Sequence, residues 1–300
     1  MAAKTHTMNV FEWTMLLVLA LVWGGTFFFA AIAIVEVPPM TIAFVRVSGG
    51  ALILFLALRV MGISMPTDKA IWAAFLFMGL MNNAIPFSLI FWAQTELTSG
   101  VASILNAMTP VFTVIAAHFL TSDEKMTLPR FAGVVLGFIG VAVLIGKPVG
   151  GNLLAHLAIL AAGASYSFSS IFAKRFARNG IKPMVTATGQ VTASSIILLP
   201  IVLLVDQPWT SAFPSNGVVL ALLGMVVLST AFAYFLYFRI LSTAGATNTA
   251  LVTLLIPPFA ILLGVAFLSE TLSMQQFIGM LIIASGLAAI DGRVLRMFKR

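Results

Sequence analysis

Apolar residues fill this chain in runs of about 20, each closed by a short cluster of turn-forming residues. The runs lack strict alternation of apolar and polar positions, so they read as helices rather than strands of an outer-membrane barrel. At 1.5 Å per residue a run of that length spans a hydrocarbon core about 30 Å thick. Helices are predicted at 11–34, 40–61, 70–93, 98–120, 128–146, 152–174, 184–205, 216–240, 246–268 and 274–291. The breaks carry turn chemistry: Val37-Pro38-Pro39, Ser64-Met65-Pro66-Thr67-Asp68, Thr121-Ser122-Asp123-Glu124, Lys147-Pro148-Val149-Gly150-Gly151 and Phe213-Pro214-Ser215-Asn216. The pattern predicts an all-α integral membrane protein with ten transmembrane helices. Lys4 and Ala31-Ile32-Ala33 have the outline of a cleavable leader, but the run from Phe11 to about Ile34 exceeds a leader's apolar core of about 7–15 residues and reads as a retained first helix.

Composition sharpens this. Charged residues are 8% of the chain, against about 25% in a soluble domain, and 61% are apolar. Lipid is the solvent that accepts such a surface. There are no cysteines, which excludes disulfides and thiolate metal sites. The net charge of +7 is explained by its placement. With the N-terminus in the cytoplasm, that side carries Lys4, Arg59, Lys69, Lys125, Arg130, Lys174, Arg175, Arg178, Lys182, Arg239, Arg293, Arg296, Lys299 and Arg300, 14 of the 16 basic residues. The other side carries Lys147 together with the acids Glu36, Glu96, Asp206 and Glu270, and Arg46 is left inside a helix. Both termini are therefore expected in the cytoplasm, and no nucleic-acid partner is needed to explain the charge.

The chain also repeats itself. Pro39-Met40 opens helix 2 and Pro183-Met184 opens helix 7, 144 residues later. Asn106-Ala107-Met108-Thr109-Pro110-Val111-Phe112 is echoed by Leu255-Ile256-Pro257-Pro258-Phe259. Phe131-Ala132-Gly133 with Gly140 is echoed by Phe277-Ile278-Gly279 with Gly286, and Asp123 stands opposite Glu270. The echoes predict two five-helix repeats, 1–148 and 149–300, in one membrane domain. Five is odd, so the halves are inverted, an arrangement that places a binding site at their interface and lets it alternate between two openings.

Taken together these residues resemble the drug/metabolite transporter superfamily, in its ten-helix EamA-type branch. The resemblance rests on Leu21-Val22-Trp23-Gly24-Gly25-Thr26-Phe27-Phe28, Phe44-Val45-Arg46, the Pro-Val-Phe and Pro-Pro-Phe elements of helices 4 and 9, Asp123-Glu124, Ser269-Glu270-Thr271-Leu272 and the glycine-rich helices 5 and 10. Ser122-Asp123-Glu124 departs from the Gly-Glu pair usual there. The resemblance implies export of small metabolites across a bacterial inner membrane, first of all amino acids and analogues, aromatic ones included. It further implies that helices 1–4 and 6–9 ring a central cavity with 5 and 10 outside.

Arg46 is the strongest candidate for a substrate-binding group. It lies seven residues into helix 2, about 10 Å from that end, where a charge normally faces a cavity or a partner. It either binds a carboxylate or fixes packing through helix carbonyls. Its repeat counterpart is Gln190. Asn82 and Asn83 precede Pro86, whose ring frees a backbone carbonyl; the amides either repair that kink or reach a substrate. Asn106 lies four residues before Pro110, and Pro257 and Pro258 are expected to break helix 9 in the mirrored place. Pro86, Pro110 and Pro257 are the expected hinges. Trp23, Tyr166, Phe168, Tyr234 and Tyr237 are candidates for a cavity wall, while Trp92, near a helix end, fits an interfacial belt. Gly133 through Gly137 form a close-packing motif.

Enzyme chemistry finds little footing. His6, His118 and His156 lie near ends or in the tail, there is no His-Glu-x-x-His motif, and the acids are near the surfaces. No cofactor or metal is expected; the partners are a small-molecule substrate and the bilayer. A channel is the alternative function. Proton coupling usually employs an intramembrane carboxylate, and none is present, leaving Glu12 or Asp291 at the interfaces.

Overall fold

The computed structural model describes residues 8–121, 125–146 and 153–291. The Asp123-Glu124 turn, the 147–151 break, His6 and the basic residues Lys4, Lys147, Arg293, Arg296, Lys299 and Arg300 lie outside the described residues. The helices are α1 (Val10–Ala33), α2 (Pro39–Val60), α3 (Lys69–Ala93), α4 (Ser99–Leu120), α5 (Leu128–Ile145), α6 (Leu153–Arg178), α7 (Pro183–Asp206), α8 (Asn216–Ala244), α9 (Val252–Leu268) and α10 (Met274–Asp291). Among the described residues, eight of these are long and apolar enough to cross a membrane, and α9 and α10 are apolar but shorter. The outer surface is what lipid requires, with Leu204, Leu220 and Phe267 among many apolar side chains left exposed.

Each helix starts where the local chemistry satisfies its first amides. Asn9 and Glu12 form a reciprocal capping box at α1. Asp68 accepts from the amides of Ala70 and Ile71 at α3. Pro39, Pro129 and Pro183 occupy first-turn positions, where a missing N–H costs nothing. Three further carboxylates cap helices in the other half of the chain. Glu36 accepts from the amide and hydroxyl of Ser215 before α8, and Asp206 accepts from the amide and hydroxyl of Thr41 in α2. Glu270 accepts from the amide and hydroxyl of Ser99 and the amide of Gly100 in α4. A carboxylate at a helix N-terminus meets both free N–H groups and the positive end of the macrodipole.

α5 and α10 pack backbone to backbone. A Cβ on Gly133 would stand 2.5 Å from the Gly286 carbonyl, and one on Gly286 would stand 2.7 Å from that of Gly133. Gly140 and Gly279 meet the same way, at 2.9 and 2.8 Å. Of the close-packing motif read from the sequence, Gly133 is used against α10, whereas Gly137 faces Val111 and Met108 of α4. The contacts are crossed: each glycine meets the carbonyl of the other echo's partner, the pattern a two-fold relation generates.

Among the described residues three helices are interrupted in mid-course and α7 ends in a π turn at Val202–Asp206, and the sequence located these only in part. α3 widens into a π turn at Leu80–Ala84, just before Pro86, and α8 does the same at Val227–Phe232 with no proline to announce it. α4 breaks at Ala107-Met108, where Pro110 begins the second segment. The expected break at Pro257 is corrected: α9 runs unbroken through Pro257 and Pro258. The reason is their position. The carbonyls those rings would orphan, on Thr253 and Leu254, fall in the first turn, so the irregular backbone shifts upstream to Ala250-Leu251, with short bonds from Thr253 N to Ala250 O and Leu254 N to Leu251 O.

Candidate binding site

The polar centre of the protein is assembled from α2, α3, α6, α7 and α8. Arg46 of α2 is 8% exposed. Its Nε donates to Thr230 Oγ1 at 3.2 Å and Nη2 to the Ser229 carbonyl at 3.4 Å, both in the π turn of α8. Its guanidinium lies 4.0 Å from the ring centroid of Phe87, a cation–π contact that covers one face. Tyr166 and Tyr234 lie within its electrostatic reach. Of five guanidinium N–H donors, two are engaged by described residues. No ion pair with a described carboxylate is formed.

Gln190 of α7, the counterpart of Arg46, makes the mirrored contact. Its Oε1 accepts from Asn82 Nδ2 at 3.2 Å in the π turn of α3, and its Nε2 donates to the Tyr234 hydroxyl at 2.9 Å. Ser169 of α6 donates to Asn82 Oδ1 at 2.8 Å. A chain of hydrogen bonds therefore runs Ser169, Asn82, Gln190, Tyr234. The π turns make this possible, because a widened turn loosens the backbone ladder. Their carbonyls take side-chain donors from neighbours: Ser165 Oγ donates to Met81 O at 2.7 Å, and Arg46 to Ser229 O. Trp23 of α1 completes the aromatic side, with its ring 5.6 Å from that of Tyr237. Phe238 contacts the rings of both Tyr237 and Tyr234.

The structure thus brings together Trp23, Arg46, Asn82, Tyr166, Gln190, Tyr234 and Tyr237. Asn82 is not spent on repairing its own kink, since its amide reaches other helices. Asn83 is fully buried and both its amide atoms lack a partner, and the buried Asn106 Oδ1 also lacks one. Neither joins the hydrogen-bonded chain. Phe168 is 48% exposed, so it belongs to the outer surface rather than the cavity wall the sequence suggested. Sequence reasoning missed Ser229, Thr230, Ser169 and Phe87. For the first two a signal existed: they lie 147 residues after Asn82 and Asn83, in the register of the repeat.

The two ends of the helical assembly differ. Ser99 through Leu105, at the Glu270 end of α4, are all buried, whereas in the Thr109–Leu120 segment only Val111 and Ala117 are. A cleft of about 270 Å³ opens at the Thr121 end between α4 and α6, lined by Leu120, Phe172, Lys174 and Arg178. Burial along α4 is therefore asymmetric.

The fold is that of a multi-pass helical membrane protein with a buried, incompletely bonded cation between its helices. The chain belongs to the EamA-like transporter family, whose profile matches twice in tandem, over residues 11–146 and 153–290. This agrees with the drug/metabolite transporter resemblance and with transport rather than enzyme chemistry. Similar proteins include Protein PecM of Dickeya dadantii, 28% identical over 90% of this chain and 89% of that one. The uncharacterized inner membrane transporter YedA of Escherichia coli is 27% identical over 88% and 85%. A probable amino-acid metabolite efflux pump of Salmonella typhimurium is 26% identical over 90% and 91%. One solved crystal structure superposes on 96% of this chain and 99% of its own with a TM-score of 0.68 at 20% identity, a likeness of fold.

Proposed function

We propose that the protein exports small metabolites, amino acids and their analogues in the first place, across a bacterial inner membrane by alternating access, with the Arg46 cluster as the binding site. The observation that carries this reading is Arg46: a buried cation with donors to spare, in a polar cluster built by five helices. A substrate carboxylate fits those donors, and the Tyr and Trp rings fit an apolar side chain. The likeness to the Salmonella probable amino-acid metabolite efflux pump supports the substrate class, and that to the inner membrane transporter YedA supports the inner membrane.

In this reading the chain crosses the bilayer ten times as two inverted repeats, 1–148 and 149–300, with both termini cytoplasmic. The crossed glycine contacts of α5 and α10 support the two-fold, as does the pairing of Arg46 with the α8 π turn and Gln190 with the α3 π turn. The sealed end at Glu270 and the looser end at Thr121 fit a carrier caught open toward the cytoplasm. The π turn before Pro86 and the break before Pro110 serve as hinges, with Ala250-Leu251 taking the place of Pro257. Exchange of labelled amino acid across proteoliposome membranes tests the reading. It should exceed the protein-free rate with the native chain and fall to that rate in Arg46→Gln at unchanged folded yield. Site positions reactive from both sides at once would make the protein a channel and refute it.

A further inference from the structure

We propose that the Arg46 site selects substrates carrying one net negative charge, and that the protein exports them without a coupled ion, driven by the membrane potential. This deepens the carrier reading above and rests on it.

The argument begins with a charge inventory. Within the cluster Arg46 is the one formally charged group among the described residues. The described acids with hydrogen-bond partners are all committed at helix ends: Glu12 in its capping box, Glu36 on Ser215, Asp68 on Ala70 and Ile71, Asp206 on Thr41, Glu270 on Ser99. Glu96 stands in the turn between α3 and α4. None of these six therefore faces Arg46.

The hydrogen-bond inventory points the same way. Arg46 has three N–H groups without a described acceptor. Three neutral side-chain acceptors of the cluster are already serving: Asn82 Oδ1 accepts from Ser169, Gln190 Oε1 from Asn82, and the Tyr234 oxygen from Gln190. The site thus has surplus donors and surplus positive charge. A carboxylate satisfies both. An ammonium on the same substrate finds a guanidinium close by and no anion to meet it, in a medium where unpaired buried charge is expensive. A second negative charge would be left equally unmatched. A monoanion with no ammonium, such as an N-acylated or deaminated amino acid, brings the site to neutrality.

The charge balance then sets the energetics. The loaded site is neutral and reorients without regard to the field. The empty site carries Arg46, and its return toward a negative cytoplasm is favoured. One negative charge leaves per cycle, which a potential negative inside drives with no need for a proton-carrying carboxylate.

The test uses the full chain in proteoliposomes with two probes that share a ring and a carboxylate: N-acetyl-L-phenylalanine, a monoanion, and L-phenylalanine, a zwitterion. A potassium gradient with valinomycin clamps the potential. N-acetyl-L-phenylalanine should exchange, with L-phenylalanine competing at least about tenfold more weakly. A potential of about 100 mV, inside negative, should drive the probe to an outside-to-inside ratio of about 50, and Arg46→Gln should erase the preference. Equal competition by L-phenylalanine, a ratio near one under the clamp, or accumulation that follows a pH gradient would each overturn the inference while leaving a carrier. Exchange of neither probe would overturn the inference together with the carrier reading.

Discussion

Replacing Glu270 by Gln should loosen the sealed end of the protein. Glu270 follows α9, and Ser269 before it takes a left-handed turn at φ 55° that aims the side chain back along the helix. Its carboxylate then accepts from Ser99 N at 2.8 Å, Ser99 Oγ at 2.7 Å and Gly100 N at 3.3 Å, tying the second half of the chain to the N-terminus of α4 in the first. Gly264 makes room for this, since a Cβ there would displace the carboxylate. Hydrogen bonds to a charged group contribute about 1.5–3 kcal/mol each, and a helix N-terminus adds up to about 1 kcal/mol at a partly exposed site. Gln retains one acceptor oxygen, so the net loss is about 2 kcal/mol, equivalent to a shift of about 30-fold in an opening equilibrium. The assay is thiol labelling of Ser103→Cys, a fully buried position on that segment of α4, in this otherwise cysteine-free chain. Glu270→Gln should raise the labelling rate by roughly that factor, and Gly264→Ala should act alike. A labelling rate unchanged within threefold would refute the reasoning, even if thermal stability fell, because the contact would then hold the fold without holding the end closed.

Other expectations follow from the same geometry. Arg46→Lys should recover only a minor part of the transport lost in Arg46→Gln, because an ammonium cannot offer the planar donor pair; recovery to native flux would refute a forked carboxylate contact. Gly133→Val or Gly140→Val should destabilise the folded protein by about 1–3 kcal/mol, read as a lower unfolding midpoint, with Gly217→Ala as a control in open space. The Ser215 amide and hydroxyl bonds hold the Glu36 carboxyl below the usual range. Its contribution is therefore complete above about pH 4.3 and lost as pH falls through the lowered value, so the native chain should lose stability relative to Glu36→Gln only in that acid window. Reporter fusions at both termini should give the cytoplasmic signal.

The apolar runs placed the helices to within a few residues because lipid demands an apolar stretch of nearly fixed length, and the composition left no other solvent for the chain. α6 and α8 extend four residues beyond the expected ends, to Arg178 and Ala244, because a helix need not stop where its hydrophobicity does. Arg46 was legible because charge in a membrane is rare, and Gln190 because it answers Arg46 in the repeat. Ser169 was not, since a hydroxyl costs little in a membrane helix, and Ser229 and Thr230 were marked only by standing in register with Asn82 and Asn83. The π turn of α8 lacks any proline, so only its likeness in register to α3 could have pointed to it. The unbroken course of α9 depended on where the helix begins, a matter of one turn that hydropathy does not resolve.

The meeting of α5 with α10 has a consequence for how the two halves can change over time. Where side chain meets side chain, a substitution on one face can be answered by a smaller residue on the other. At Gly133, Gly140, Gly279 and Gly286 the opposing surface is largely peptide backbone, which no mutation can shrink. A methyl group gained at any of them therefore has no compensating partner. Elsewhere the halves have been free to part company, as Arg46 and Gln190 have done. At these four positions the packing admits one amino acid on both sides at once.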